Sequence, residues 1–392
     1  MPWRVETPMS QRQDFVEAWD RGHWHPTELC ARFGISRKTG YKWWHRYENG
    51  GLAALEDRSR RPDRCPFALD AALGALLIRT RQAHPTWGPR KLLAYLIARH
   101  PRYTGWPVAS TVGALLKREG LVRARRRRPA PGHPGRPSTT SDAPNALWSA
   151  DFKGQFKLGT GAYCYPLTIV DGYSRYLLAC RGLEAIATGS TRSVFEGIFR
   201  TYGLPDRIRT DNGAPFATCA LGRLSALSVW WIKLGITPEL IQPAHPEQNG
   251  RHERMHRTLK AEATRPPGAT LRGQQRRFDR FQREYNEERP HEALAQVPPA
   301  QHYQPSPRPY ARALRTPEYP RHFETRYVST NGGIRWHHRW VNVSHVLAEE
   351  YVGLEEVADG VWSVFFGPLL LGRLDERDYR LHGQHNRNRL PR

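Results

Sequence analysis

A chain of 392 residues, 39% of them hydrophobic, is long enough for roughly two to four compact units with cores of their own. Its 60 Lys and Arg against 37 Asp and Glu leave a formal charge of +23, which points to a polyanionic partner, because each phosphate neutralised releases condensed counterions. Five cysteines with no C-x-x-C pair argue against a disulfide framework and a cysteine zinc site, and the absence of a long apolar run or signal-peptide pattern argues against a membrane span; a reducing cytoplasm is the expected setting.

The charge is densest at the front, where residues 1–146 carry 26 basic and 12 acidic side chains. Residues 10–47 read as three helices. Ser10 to Arg21 presents Phe15, Val16 and Trp19 on one face; a second helix opens at Pro26 with Leu29, Ala31 and Phe33 as its apolar positions; Gly34-Ile35-Ser36 turns the chain, and Ser36 caps a third helix, Arg37 to Tyr47. With Gly40, Trp44 and Tyr47 inward, Arg37, Lys38, Lys42 and Arg46 point outward. This is the grammar of a helix-turn-helix, with the cations on phosphates and Ser36, Lys38 and Thr39 near base edges. The pattern returns with helices at Leu69 to Gln82, from Pro89 with Leu92, Leu93, Leu96 and Ile97 on one side, and at Ser110 to Glu119, stopped by Gly120: a second helical DNA-binding module.

The run Arg123-Ala124-Arg125-Arg126-Arg127-Arg128 and the Pro- and Gly-rich stretch to Asn145 read as a basic linker whose arginines meet phosphate. Beyond it strands take over: Leu147 to Leu158, Tyr163 to Val170, an Asp171-Gly172 hairpin turn, and Tyr176 to Arg181. Then come a helix from Ser190 to Tyr202, a strand from Arg207 to Thr210, a helix from Cys219 to Leu234, a strand from Thr237 to Ile241 and a helix from Arg251 to Ala263. Three successive strands followed by alternating helices and strands predict a mixed sheet covered by helices. Residues 272–287 form an amphipathic helix with Phe278, Phe281 and Tyr285 on one face. From Pro309 the chain is β-rich, with hairpin signals at Asn331-Gly332 and Asp359-Gly360 and strands at Ile334 to Val343 and Val361 to Phe366, economically a small barrel. The expected division is 1–62, 63–122, a linker at 123–146, a central domain at 147–265, a helical extension at 266–309, the barrel at 310–380 and a basic tail at 381–392.

Two acids stand out by position. Asp151 lies mid-strand, a poor place for an unpaired charge, and Asp211 lies where a strand ends, the edge at which open sheets gather their sites. The third candidate is Glu247, before a helix, or Glu253, within its first turns. A helix fixes a side-chain direction better than a loop does, and Glu253 has Arg257 and Lys260 along its face to grip phosphate, so Glu253 is preferred.

The set Trp148-x-x-Asp151-Phe152, Thr210-Asp211-Asn212-Gly213 and Pro246-x-x-x-Gly250-x-x-Glu253 resembles the catalytic core shared by retroviral integrases and bacterial insertion-sequence transposases. The stretch Tyr285-Asn286-x-x-Arg289-Pro290-His291-x-Ala293-Leu294 resembles the segment C-terminal to that core in the transposases. The resemblance implies an α/β, RNase H-like five-stranded mixed sheet and a triad of Asp151, Asp211 and Glu253 that binds two Mg²⁺ ions, with Mn²⁺ as a substitute. It further implies binding of double-stranded DNA at terminal inverted repeats and at a target, strand cleavage and 3′-hydroxyl strand transfer, and a homo-oligomer on DNA. One departure stands: the family favours 35 residues between second and third acid, whereas here 41 separate Asp211 from Glu253 and 35 separate it from Glu247. Glu253 is retained because the family sets its acid three residues after the motif glycine, and the extra length is assigned to Ala220 to Trp231. Asp171 is left out of the triad, and His245 and His252 are expected on the surface or against DNA. Two rival readings are a non-catalytic DNA-binding regulator of the same fold and a structure-specific nuclease; intact acids oppose the first and separate sequence-reading modules oppose the second.

Overall fold

The computed structural model describes residues 7–58, 69–122, 141–218, 220–241, 250–311 and 313–383. Arg125, Arg126, Arg127, Arg128, Glu247 and His245 lie outside the described residues, as does the basic tail from residue 384. The chain divides into two units, Met1–Leu69 and Asp70–Arg392.

In the first unit, α1 (Pro8–Asp20) begins at a Thr7 cap whose hydroxyl accepts from Ser10 N, α2 (Pro26–Arg32) opens on proline, and α3 (Arg37–Gly50) starts at Ser36, which accepts from Thr39 N as expected. Phe15, Val16, Leu29, Cys30, Trp43 and Leu55 form its core. Two expectations are corrected here. Trp43, not Trp44, is the buried tryptophan of α3, and Cys30 rather than Ala31 is buried on α2. A stripe through Gly40 and Tyr47 passes either tryptophan equally well by spacing, and the three cations around Trp43 decide which one is enclosed: Arg12, Lys42 and Arg46 lie 4.1, 4.7 and 4.8 Å from its ring.

The second unit opens with three helices, α4 (Ala71–Ala83), α5 (Pro89–Arg99) and α6 (Ala109–Arg118), which bury Leu77, Leu92, Leu96, Val112 and Leu116; Ile97, expected inward, is exposed. A mixed sheet follows, built from β1 (Trp148–Phe152), β3 (Tyr163–Asp171), β4 (Leu177–Leu183), β5 (Arg207–Thr210) and β6 (Thr237–Leu240) in the spatial order β4-β3-β1-β5-β6. The two-residue β2 (Phe156–Lys157) adds to the start of β3. The β4–β3 and β3–β1 pairs are antiparallel, and the β1–β5 and β5–β6 pairs are parallel.

Alternation along the strands sorts side chains between two cores. Trp148, Ala150, Leu167, Ile169 and Ile208 meet α7 (Thr188–Tyr202) and α8 (Ala226–Lys233) through Phe195, Phe199, Trp230 and Trp231. Val170, Leu177 and Cys180 meet α9 (Gly250–Glu262) and α10 (Leu271–Arg283) through Met255, Leu259, Phe278 and Phe281, joined by Tyr285 from the π-helical turn Glu284–Glu288 that follows α10. Full burial of each large apolar side chain contributes about 1.5–3 kcal/mol, so both helical layers are firmly held. The helix expected from Cys219 to Leu234 is interrupted: a short 3-10 turn at Leu221–Arg223 contains Gly222 at φ 65°, and α8 starts afresh at a Ser225–Ser228 capping box. The Asp171-Gly172 turn is longer than a two-residue hairpin, because β4 resumes only at Leu177.

The C-terminal region forms an antiparallel sheet, β13-β12-β11-β10-β7, from β7 (Glu324–Tyr327), β10 (Tyr351–Ala358), β11 (Val361–Phe366), β12 (Leu369–Asp375) and β13 (Arg380–His382). A hairpin of β8 (Gly333–Trp336) and β9 (Arg339–Asn342) shares its core, so the single strand expected at Ile334 to Val343 is two. In place of the expected small barrel, the region holds an open five-stranded sheet and a separate hairpin around one core, which Val229 and Ile232 of α8 also enter. The Asp359-Gly360 turn joins β10 to β11 as expected, whereas Asn331-Gly332 closes a local turn and joins no hairpin, since β7 pairs with β10.

Candidate active site

The register of two parallel strands sets up the site. Ala150 on β1 pairs with Thr210 on β5, so the next residue of each strand, Asp151 and Asp211, emerges side by side at their carboxyl ends. Alternation turns Trp148 and Ala150 into the α7–α8 core and therefore Asp151 toward α9. Asp211 accepts a hydrogen bond from Gly213 N at 3.2 Å, and Asn212 donates to the Ile241 carbonyl at 2.9 Å, which ties the turn to the end of β6. A side chain at residue 213 would start 3.2 Å from Asp211 Oδ2, so the glycine keeps that carboxylate approachable.

Helix α9 brings the third acid. Glu253 lies in its first turn and is exposed, as are Arg257 and Lys260. The inner stripe of α9 is His252, Met255, His256 and Leu259, all buried. Thr168, which pairs with Asp151 across the β1–β3 ladder, receives this stripe: its Oγ1 lies 2.7 Å from Nε2 of His252, 2.7 Å from Nε2 of His256 and 3.1 Å from the Asp151 carbonyl oxygen. A hydroxyl has one proton to give. With one proton among three neighbours, at least one of the two rings donates to Thr168 from Nε2. Burial keeps both neutral: it holds His252 well below the ordinary histidine range and pushes His256 down to about 3. The expectation that His252 is a surface or DNA-contacting residue is therefore overturned; it is 2% exposed. Sequence reasoning does not single out His256 at all. A signal for it exists, since 252, 255, 256 and 259 follow the helical stripe, but polar residues there break the apolar pattern by which a stripe is recognised.

The carboxylates feel one another. Burial, then the charge of Asp211 and, more weakly, that of Glu253, raise the Asp151 carboxyl to about 7, and burial also raises Asp211. Among the described residues, the tight group of ligand-type side chains is Asp151, His252 and His256, whose atoms lie within 4.8 Å of one another; Asp211 and Glu253 act on Asp151 from outside that group. Asp171 sits elsewhere. It pairs with Trp148 at the far end of the ladder, is fully buried, and accepts from Asn145 N, Ser174 N and Ser174 Oγ at 2.8, 2.7 and 2.6 Å, a structural role that fits its exclusion from the triad.

In the first unit, Ser36, Arg37, Lys38 and Lys42 are exposed and Thr39 and Arg46 half-buried. The Ser36 and Thr39 hydroxyls bond each other at 2.9 Å.

Comparison with known proteins agrees with this layout. An Integrase core domain family matches residues 141–246 and another of the same description matches 234–299, a Helix-turn-helix domain matches 11–63, and a Homeodomain-like domain matches 39–116. The insertion element IS476 uncharacterized 39.2 kDa protein of Xanthomonas euvesicatoria is 28% identical over 251 residues, 64% of this chain and 70% of that protein. The insertion element IS407 uncharacterized 31.7 kDa protein of Burkholderia multivorans is 27% identical over 241 residues, 61% of this chain and 83% of that protein. Among solved structures, the HTLV-2 integrase catalytic core domain in complex with magnesium is similar at a TM-score of 0.34 and 17% identity, over 42% of this chain and 99% of that one.

A mixed sheet with acids at the carboxyl ends of adjacent strands, preceded by helix-turn-helix domains, defines a DNA-binding phosphoryl transferase with an integrase core. Its integrase core and helix-turn-helix domains, together with its likeness to proteins of bacterial insertion elements, support an insertion-sequence transposase with an integrase-like core. Among the described residues no helix is long and apolar enough to cross a membrane.

Proposed function

We propose that the chain recognises the terminal inverted repeats of its own element and there cleaves DNA and joins the freed 3′-hydroxyl to target DNA, with Asp151, Asp211 and Glu253 as ligands of two Mg²⁺ ions. The observation that carries this reading is the Ala150–Thr210 pairing, from which two acids leave adjacent parallel strands together, within electrostatic reach of Glu253. The donor set fits the ions: oxygen ligands from separate elements suit hard divalent cations, and the repulsion that raises Asp151 is what a cation would relieve. When bound, such ions activate a water or hydroxyl nucleophile and neutralise charge on the leaving oxygen.

The chain's own residues do the rest. Thr168, His252 and His256 orient Asp151 and α9; Arg257 and Lys260 hold phosphates beside Glu253. Ser36, Arg37, Lys38, Thr39, Lys42 and Arg46 read the repeat, and Arg125, Arg126, Arg127 and Arg128 hold the intervening backbone. No nucleophilic side chain is needed. Joining two element ends requires at least two protomers, hence a homo-oligomer on DNA. The test is to incubate the full chain with labelled inverted-repeat DNA and Mg²⁺ or Mn²⁺. Nicked and then joined products are expected, and Asp151→Asn, Asp211→Asn and Glu253→Gln should each abolish both while DNA binding persists. Binding without nicking would favour the regulator, nicking without joining the nuclease, and an active Glu253→Gln with a dead Glu247→Gln would move the third ligand to Glu247.

A further inference from the structure

The segment Tyr285–Leu294, which the active site does not use, meets the α4–α6 module on one side and the end of the catalytic helix on the other. Glu262 is the last residue of α9, and its Oε1 accepts from Arg289 Nη1 at 2.5 Å and from the hydroxyl of Thr86, just before α5. Arg289 also reaches Thr86 Oγ1 at 3.5 Å and is 8% exposed. One residue on, the Pro290 carbonyl accepts from Lys91 of α5. Glu288 meets Tyr95 Oη at 3.4 Å and Arg99 at 3.3 Å, and Glu292 meets Arg90 at 3.7 Å. The polar face of α5 is thereby committed to this segment. Removing one partner from the enclosed Arg289–Glu262 pair strands the other, so the contact is geometrically demanding in a way that the exposed Arg90–Glu292 pair is not.

We propose that this segment is a joint that fixes the α4–α6 module to the catalytic helix within one chain, with Arg289 as a positioning residue that acts through Glu262 on α9 and so on Glu253. The two ends of α9 are held by different devices: its first turns by Thr168 on the sheet, its last turn by Arg289 and Thr86. The module's α5 side is occupied by the joint, while α6 keeps Ser110, Thr111 and Lys117 exposed. DNA held along α6 would then lie at a set distance from the carboxylates of the same chain. Chemistry tolerates little error in such placement, a displacement of about 1 Å costing up to roughly a hundredfold in rate.

This inference rests in part on the proposed cleavage activity, so its test carries two readouts. In the full-length protein, Arg289→Lys keeps the charge but loses the planar fork, Glu262→Gln keeps the shape but loses the charge, and Lys91→Met releases the neighbouring contact. Each should leave affinity for inverted-repeat DNA unchanged while slowing single-turnover cleavage by roughly ten- to a hundredfold. Independently of any activity, hydrogen exchange should quicken in both α4–α6 and α9 of Arg289→Lys, and not in the C-terminal sheets. Unchanged cleavage, affinity falling in step with cleavage, or quickened exchange on only one side of the joint would each overturn the proposal. A wild-type protein that cleaves nothing would instead count against the proposed function, and the exchange pattern would still decide the joint.

Discussion

Thr168 stands across the β1–β3 ladder from Asp151, with its hydroxyl 3.1 Å from the Asp151 carbonyl oxygen and 2.7 Å from Nε2 of both His252 and His256 of α9. One side chain thus links the strand that carries the first acid to the helix that carries the third. Thr168→Val keeps the shape and deletes the link, leaving at least one buried imidazole N–H group without an acceptor. A loss of about 1–3 kcal/mol for each stranded group is expected in thermal unfolding, with a larger proportional fall in strand cleavage than in DNA binding. Thr168→Ser restores the hydroxyl and should recover both. Equal behaviour of the valine and serine variants would show that the hydroxyl does nothing.

The raised Asp151 carboxyl makes a signed prediction about pH. An unfolded aspartate titrates near 3.8, whereas the folded group titrates at about 7, so between those values the folded protein retains a proton that the unfolded chain has released. This group's contribution therefore falls as pH rises from about 4 through about 7 in metal-free protein. His252 and His256 act oppositely: their depressed values cost stability as pH falls below about 6.5, where unfolded histidines take up protons. The Asp151 part is isolated by difference. Without metal, Asp151→Asn should be no more stable than the wild type at pH 4 and increasingly more stable toward pH 8, and Mg²⁺ should raise the wild-type melting temperature more at pH 8 than at pH 5. A stability difference between the two proteins that does not change with pH would contradict the shift.

Gly40 tests packing against propensity. In an exposed helix Gly40→Ala would gain about 1 kcal/mol. Here a Cβ would stand 2.4 Å from Cys30 Sγ and 3.1 Å from Phe15, and such overpacking costs typically about 1–3 kcal/mol. The substitution is expected to lower the melting temperature of the N-terminal unit; a rise would mean that Cys30 moves aside freely.

The four cations of α3 should separate in a binding experiment. Arg37 and Lys38 are exposed, so replacing either by Gln should reduce the slope of log affinity against log salt by about 0.9 for each phosphate no longer neutralised, with little change in stability. Lys42 and Arg46 lie over Trp43, and their replacement should also destabilise the unit, by about 0.5–1 kcal/mol each. If all four variants melt alike, the stacking on Trp43 carries no energy.

Much of this protein was legible in its sequence because the determining interactions are short-ranged. The Ser36 cap, the prolines that open α2 and α5, the alternation that makes β1, β3 and β5, and the placement of Asp211 where β5 ends all depend on residues within a few positions of one another, whereas Asp151, expected in the middle of a strand from Leu147 to Leu158, lies one residue from the end of a β1 that stops at Phe152. The features beyond its reach depend on which surfaces meet. Spacing alone allows Trp43 or Trp44 to turn inward, and the choice of Trp43 depends on what packs around it, Arg12 of α1 among the cations over its ring. The helical period marks His252 and His256 as one face, but that this face is buried, and on a threonine, is decided by the sheet beneath α9. The Arg289–Glu262 contact joins residues 27 apart, and Lys91 meets Pro290 across 199. Burial and pairing at such separations arise from the tertiary arrangement of layers, whereas caps, turns and alternation depend on residues close along the chain.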